Sequence, residues 1–291
     1  MAPDRPGRDR VLLSTRILAA VIIPFLVLAF AVLFPDPADT SVFAWQIKPS
    51  MSAMMLGSVY LGGAYFFLRV VPARQWHEVA GGFIPVATFA SLMGIATILH
   101  WDKFIHSNVA FWLWVALYFT TPFLVFAVFV RNRREFVPAT GTELMLKPST
   151  ATAIVAGGAL AVATSAFLFL FPLTAVRIWP WPLTSLTART LGAIFALGLA
   201  GLGALRERRW SAVRLMLQVA GFMLVLILIA GIRAHGDFDN SNPLTWLFAG
   251  GFVATASATL ICYLRMESRV AGASLQGDPL VPGESLRRDR A

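Results

Sequence analysis

Eight long apolar runs dominate the chain, at roughly 11–34, 50–71, 80–100, 108–130, 149–171, 186–205, 213–232 and 244–265. Each is close to the length, about 20 residues at 1.5 Å per residue, that carries a helix across a hydrocarbon core about 30 Å thick. Helix is the form such runs take, because in lipid every backbone N–H and C=O must find its partner inside the segment. The connections between runs are short and leave no room for a soluble catalytic domain. Charged residues make up 13% of the sequence and hydrophobic residues 57%, against about 25% charged in soluble domains. The expected fold class is all-α: a polytopic integral membrane protein with eight transmembrane helices, whose first partner is the lipid bilayer.

The second half of the chain repeats the first. HWDKFIHSNVAFWL, from His100 to Leu113, returns as HGDFDNSNPLTWL, from His235 to Leu247. With Lys103 as an insertion, Asp102 matches Asp237, Phe104 matches Phe238, Asn108 matches Asn242 and Trp112 matches Trp246. Leu33-Phe34-Pro35 likewise returns as Leu170-Phe171-Pro172, and the loop holding Trp45 as the loop holding Trp179 and Trp181. A tandem duplication of two four-helix units explains this. Each unit has an even number of crossings, so the two are parallel repeats about an axis along the membrane normal. The expected organisation is an N-terminal segment 1–10, a first unit 11–130, a linker 131–148, a second unit 149–266 and a disordered tail 267–291.

The net charge of +9 does not mark a nucleic-acid protein, because the basic residues flank apolar runs and form no aromatic-interleaved patch. It reports topology. Of the 24 Lys and Arg residues, only Lys48, Lys103, Arg177, Arg189 and Arg233 fall on the side of the His100 and His235 turns. The expected location is the bacterial cytoplasmic membrane with both termini cytoplasmic. Ala29-Phe30-Ala31 resembles a signal-peptidase site, but the apolar run continues through Val32, Leu33 and Phe34, too long for a signal core, so the first run is expected to be retained. The single cysteine, Cys262, excludes a disulfide framework.

Candidate chemistry gathers on the outer side. His100, Asp102, His235 and Asp237 combine imidazole and carboxylate, a donor set that suits a divalent metal if the two turns meet at the axis. The competing expectation is that each histidine closes a helix. Arg189, near the outer end of the sixth run, is expected to pair with Asp237 or Asp239 or to hold a lipid phosphate, and with the four former residues completes the candidate ligand set. Trp45, Trp179, Trp181, Trp112 and Trp246 lie at run boundaries and read as headgroup-level anchors. His77, whose counterpart after Trp210 is Ser211, reads as a surface residue. Gly250, Ala254 and Ala258, and Ala196, Ala200 and Ala204, form small-residue stripes that read as helix contact faces. Pro24, Pro85 and Pro122 read as interior prolines that kink spans of the first unit. The middle of the runs holds only neutral polar groups such as Tyr60, Tyr118 and Thr164, which argues against a proton relay through the bilayer, and Gln218, in the inner half of the seventh run, is the only amide inside a run.

No phosphate-binding loop, HExxH, GxSxG or CxxC motif is present, so the sequence points to no reaction. WPLTSLTAR (181–189) with its small-residue helix, and the HWDKF and HGDF turns with the following FWLWVALY (111–118), resemble multi-pass membrane proteins of high-GC Gram-positive bacteria to which no activity is assigned. The resemblance covers most of the eight-run region and implies a membrane fold, not a functional residue. Three readings stand: a protein that binds or transports a small or lipid-like molecule between its repeats, a scaffold or accessory subunit with a membrane-protein partner, and a metal-binding protein using the outer His/Asp set.

Overall fold

The structure is a computed structural model describing residues 9–139 and 143–275. It is helical, with eight helices long and apolar enough to cross a membrane: Leu13–Leu33, Ser50–Val70, His77–Leu99, Val109–Glu135, Pro148–Leu170, Ser185–Leu205, Trp210–Arg233 and Pro243–Gly272, numbered spans 1 to 8. Their starts follow local chemistry. Asn108 accepts from the Ala110 N–H at 3.2 Å, Thr184 from Thr187 at 3.1 Å and Asn242 from Leu244 at 2.9 Å, each satisfying a donor of the first turn. Pro148, Pro172 and Pro243 each open a helix, where the missing N–H is lost at no cost.

Three expectations change here. Pro24 and Pro122 are interior to helices, whereas Pro85 lies in the first turn of Phe83–Leu99 and removes no intrahelical bond. The last helix runs Pro243–Leu275, so the first part of the segment expected to be a disordered tail is helical. The remainder of that tail, and most of the N-terminal segment, lie outside the described residues. Gly250 has no neighbouring atom within 4 Å, so its stripe is not a close helix contact.

Close approach occurs instead between spans 5 and 6. A Cβ on Gly158 would lie 2.7 Å from the Gly198 carbonyl oxygen, and one on Gly201 would lie 2.9 Å from that of Ile154. Only glycine permits this contact, and the neighbouring Ala196 and Ala204 are buried with it. Span 6 tightens there into 3₁₀ turns at Ala196–Gly198 and Gly203–Leu205.

Within each half, spans pair in sequence order, 1 on 2 and 3 on 4, then 5 on 6 and 7 on 8. Between halves, span 2 packs on span 7 and span 3 on span 6. Matched contacts recur in detail. Trp45 meets Phe104 at 5.1 Å and Trp114 at 4.8 Å, as Trp181 meets Phe238 at 5.2 Å and Phe248 at 4.9 Å. Asn108 Nδ2 donates to the Phe43 carbonyl at 2.8 Å, as Asn242 Nδ2 does to that of Trp179 at 3.3 Å. At the opposite end Val11 pairs with Arg74, as Leu146 pairs with Arg208. One pairing is not matched. Span 1 packs on span 4, where buried Asn132 accepts from Thr15 Oγ1 at 2.8 Å, but among the described residues no comparable packing joins span 5 to span 8.

Arg209, counted in the sequence only as a topogenic charge, is 2% exposed. It donates to Glu207 at 2.7 Å, Glu143 at 3.4 Å and the Val137 carbonyl at 3.1 Å, and lies 5.3 Å over the Phe136 ring. Burial opposes both charges, but the paired bonds outweigh it, raising the arginine pKa and lowering that of Glu207. Removing Arg209 leaves the part-exposed carboxylates of Glu143 and Glu207 without their shared cation. Arg209→Met should destabilise the protein by roughly 1–3 kcal/mol in chemical unfolding in detergent; no measurable loss would show that the cluster contributes nothing to stability.

Candidate functional site

The histidine-bearing turns sit at helix ends, as their sequence position requires, but they do not build the expected metal centre. His100 follows span 3, and its Nε2 accepts from Arg189 of span 6 at 2.5 Å. Asp102 is exposed and pairs with its neighbour Lys103 at 2.8 Å, whose hydrogen bond holds the carboxyl below its ordinary range. His235 Nδ1 lies 3.2 Å from the Ile232 carbonyl oxygen of its own helix. Asp237 crosses to the other half and accepts from the Met51 N–H at 2.7 Å. Among the described residues no three His, Cys, Asp or Glu side chains gather as a metal-binding group.

These partners correct the reading of Arg189, which meets an imidazole and not Asp237 or Asp239. They also give the second turn a role the sequence hid. Span 2 begins after Pro49, which offers no capping side chain. Asp237 supplies the cap from outside, placing a negative charge at the positive end of that helix. A few residues earlier Arg233 donates to the Phe34 and Pro35 carbonyl oxygens at 2.8 and 2.7 Å, closing the end of span 1. One turn of the second half thus clamps the connection between the first two spans.

The tryptophans divide. Trp112 and Trp246 are mostly exposed and return their indole N–H to the His106 and Asn240 carbonyl oxygens, as boundary residues do. Trp45 and Trp181, expected as headgroup anchors, are 3% and 1% exposed and belong to the core. Trp181 donates to Ser52 of the other half at 2.8 Å, so it joins the halves and does not meet lipid. Trp179 is half-buried and stands on a cavity wall.

That cavity, about 2000 Å³, is open to the outside. It reaches from Trp179 and Leu244 at the histidine end to His77, Arg206 and Glu207 at the basic end, and its wall between is Leu, Val, Ile, Phe, Ala and Gly with few hydroxyls. Spans of both halves line it, with span 5 and span 8 on either side of the unmatched gap. Such a wall offers no charge at mid-depth and suits an apolar chain.

His77 is the residue the sequence placed wrongly. It is 4% exposed, not a surface group. Its Nδ1 meets Asp9 Oδ2 in a very short contact, its backbone N–H donates to Asp9 Oδ1 at 3.1 Å, and its Nε2 lies 2.9 Å from Ser211 Oγ. The duplication had aligned His77 with Ser211; nothing in one dimension says that matched positions of the two halves touch. Comparison with known proteins finds no matching family model, curated protein or solved structure. The class is therefore defined by the fold itself, a multi-pass helical membrane protein.

Burial pushes the His100 imidazole below its ordinary 6.5, and the Arg189 charge acts the same way, with Asp102 opposing both. The folded chain therefore favours the neutral ring. This contribution is fully present above about pH 6.5 and is lost as pH falls toward the lower folded value. Thermal melts in detergent from about pH 7.5 down to about pH 5 should show a falling Tm whose slope is shallower in His100→Gln; equal slopes would remove His100 as the cause. In the same assay Asp237→Ala should cost about 1 kcal/mol as a lost cap, whereas Asp102→Ala should be close to neutral.

Proposed function

We propose that the protein binds a lipid-like molecule, one with a long apolar chain, between two duplicated four-span units of the bacterial cytoplasmic membrane. The observation that carries this reading is the cavity of about 2000 Å³. Pockets for drug-sized solutes are about 300–1,000 Å³, so the volume suits a chain or a branched lipid better than a compact solute. Its charged groups, Arg206 and Glu207, and the imidazole of His77 lie at one end, where a headgroup would sit, and the rest of the wall is apolar but for scattered hydroxyls such as Tyr60, Thr164 and Thr255.

The duplicated arrangement is supported by the matched Trp45 and Trp181 aromatic clusters and by the exchange-related pairings of span 2 with 7 and 3 with 6. On this reading the basic end is cytoplasmic, in keeping with the excess of Arg and Lys there. The headgroup end of the cavity then faces the inner leaflet. Symmetry would have closed both outer flanks; the first unit closes where span 1 meets span 4, and the second stays open between spans 5 and 8, giving the chain its way in. A second reading, an accessory subunit docking through span 8, is favoured by that helix's packing on span 7 with most of its surface uncovered.

Gly157 and Gly251 line the cavity, and a Cβ built at either meets no atom within 4 Å. Side chains introduced there would start from open space on the cavity wall. Native mass spectrometry of protein extracted in mild detergent should show a co-purified lipid, and the double variant Gly157→Phe, Gly251→Phe should retain at least about tenfold less with Tm preserved, a loss of about 1.4 kcal/mol in binding. Wild-type protein free of lipid, or a filled variant that keeps it, would count against the reading; co-purification of a stoichiometric membrane protein would favour the docking role.

A further inference from the structure

The contact between the two halves at the basic end has the layout of a serine nucleophile with its base. Ser211 Oγ lies 2.9 Å from His77 Nε2, and His77 Nδ1 is held by Asp9 Oδ2. With the ring proton on Nδ1, where the carboxylate holds it, Nε2 is left to accept from the serine hydroxyl. Such a constellation is recognised by geometry and not by chain position, which is why no motif announced it.

Each member is fixed independently. Asp9 donates its N–H to the Glu135 carbonyl at 2.7 Å and accepts from Trp76 at 3.0 Å. Its φ of 45° makes it the one non-glycine residue in left-handed conformation among those described, a strained geometry that surrounding bonds must sustain. His77 is buried and forms part of the cavity wall. Ser211 stands in the first turn of the 24-residue helix Trp210–Arg233, near its positive end, where the N–H groups of Trp210, Ala212 and Val213 are already bonded to Leu144 and Arg209 carbonyl oxygens. Ser211 is itself part-exposed, and Glu207, Ala212 and Val213 on either side of it line the cavity.

We propose that Ser211, His77 and Asp9 form an acyl-transfer site that hydrolyses a carboxylic ester of an apolar acyl chain lying in the cavity. The identity of the substrate, though not the triad, rests on the cavity reading above. Ser211 Oγ attacks the ester carbonyl carbon as its proton passes to His77 Nε2. The C–O bond to the alcohol then breaks, and the alcohol leaves with that proton. Water adds to the acyl-serine carbonyl and gives a proton to Nε2. The bond to Ser211 breaks, the proton returns to Oγ, and a carboxylic acid departs. Asp9 touches no reacting atom; it is a positioning residue that sets the tautomer and aim of His77.

The full-length protein in detergent is treated with an alkyl fluorophosphonate, and the modified residue is located by peptide mass spectrometry. A single adduct at Ser211 is expected, absent in Ser211→Ala and formed about 10²- to 10⁴-fold more slowly in His77→Gln. Asp9→Asn should slow the maximal labelling rate while leaving the half-saturating probe concentration unchanged, a split that simple loosening of the fold would not produce. Because His77→Gln also removes a bridge between the halves, Ser211→Cys gives a second measurement. The thiol it introduces should react with iodoacetamide faster than Cys262 does, and lose that advantage when Asp9→Asn is added. Folded wild-type protein that takes no adduct at Ser211, or labelling indifferent to His77→Gln, overturns the proposal. Labelling at Ser211 that is independent of probe chain length upholds the triad and defeats the cavity reading; retained lipid with no labelling does the reverse.

Discussion

In a bilayer the hydrophobic effect does not press helices together, so this structure depends on the few places where backbones approach closely or polar groups bond away from water. Spans 2, 3, 6 and 7 carry most of that burden. Span 2 is the most enclosed of them, with Met51, Leu56 and Tyr60 all buried. Tyr60 shares a hydrogen bond of 2.8 Å with Tyr118, and Gln218 of span 7 bonds both Tyr65 and Tyr263, tying spans 2, 7 and 8 toward the basic end. Spans 5 and 6 are joined by glycine contacts that admit no side chain. Between spans 5 and 8 neither device is present among the described residues, and the cavity lies between them.

That gap is where the two halves differ most. Two units related by exchange would bury the same surfaces on both flanks, and most of the matched contacts do so. The departures fall at polar positions, where the matched residues differ or take different partners. Arg189 stands against Met54 in the aligned loops and reaches His100 of the other half. Asp237 caps span 2, while its counterpart Asp102 turns to Lys103 and solvent. His77 stands against Ser211, and there the two positions touch. A copy of a helix is free to keep its packing residues and change its polar ones, because the aromatic and aliphatic contacts already hold it in place.

The parts of the site that were legible in the sequence were those decided locally. Asn108 and Asn242 cap the helices that follow them, as their position before an apolar run predicts. Trp112 and Trp246 sit at boundaries with indoles bonded to their own turns. Trp45 and Trp181 lie in matching loops but are core residues, because each loop folds inward onto the aromatic rings of its own half, and Trp181 also bonds Ser52 of the other. The His/Asp motif was visible as a motif, yet its partners are Arg189, Met51 and Lys103, residues distant or ordinary in the chain. Arg209 and His77 carried no signal at all: a basic residue before a helix and a histidine after a tryptophan look like surface groups until Glu143, Glu207 and Asp9 are brought beside them.

The sequence by itself determined the all-helical membrane class and the number of apolar spans, since these follow from hydropathy and from length against bilayer thickness, properties read along one dimension. Only the tertiary structure decided which helix faces meet, that one flank closes and the other stays open, and that Asp9, His77 and Ser211 converge. The reason is physical. Lipid rewards every apolar helix face equally, so hydropathy carries little information about partners; these are chosen by steric fit at glycines and by hydrogen bonds between residues far apart in the chain.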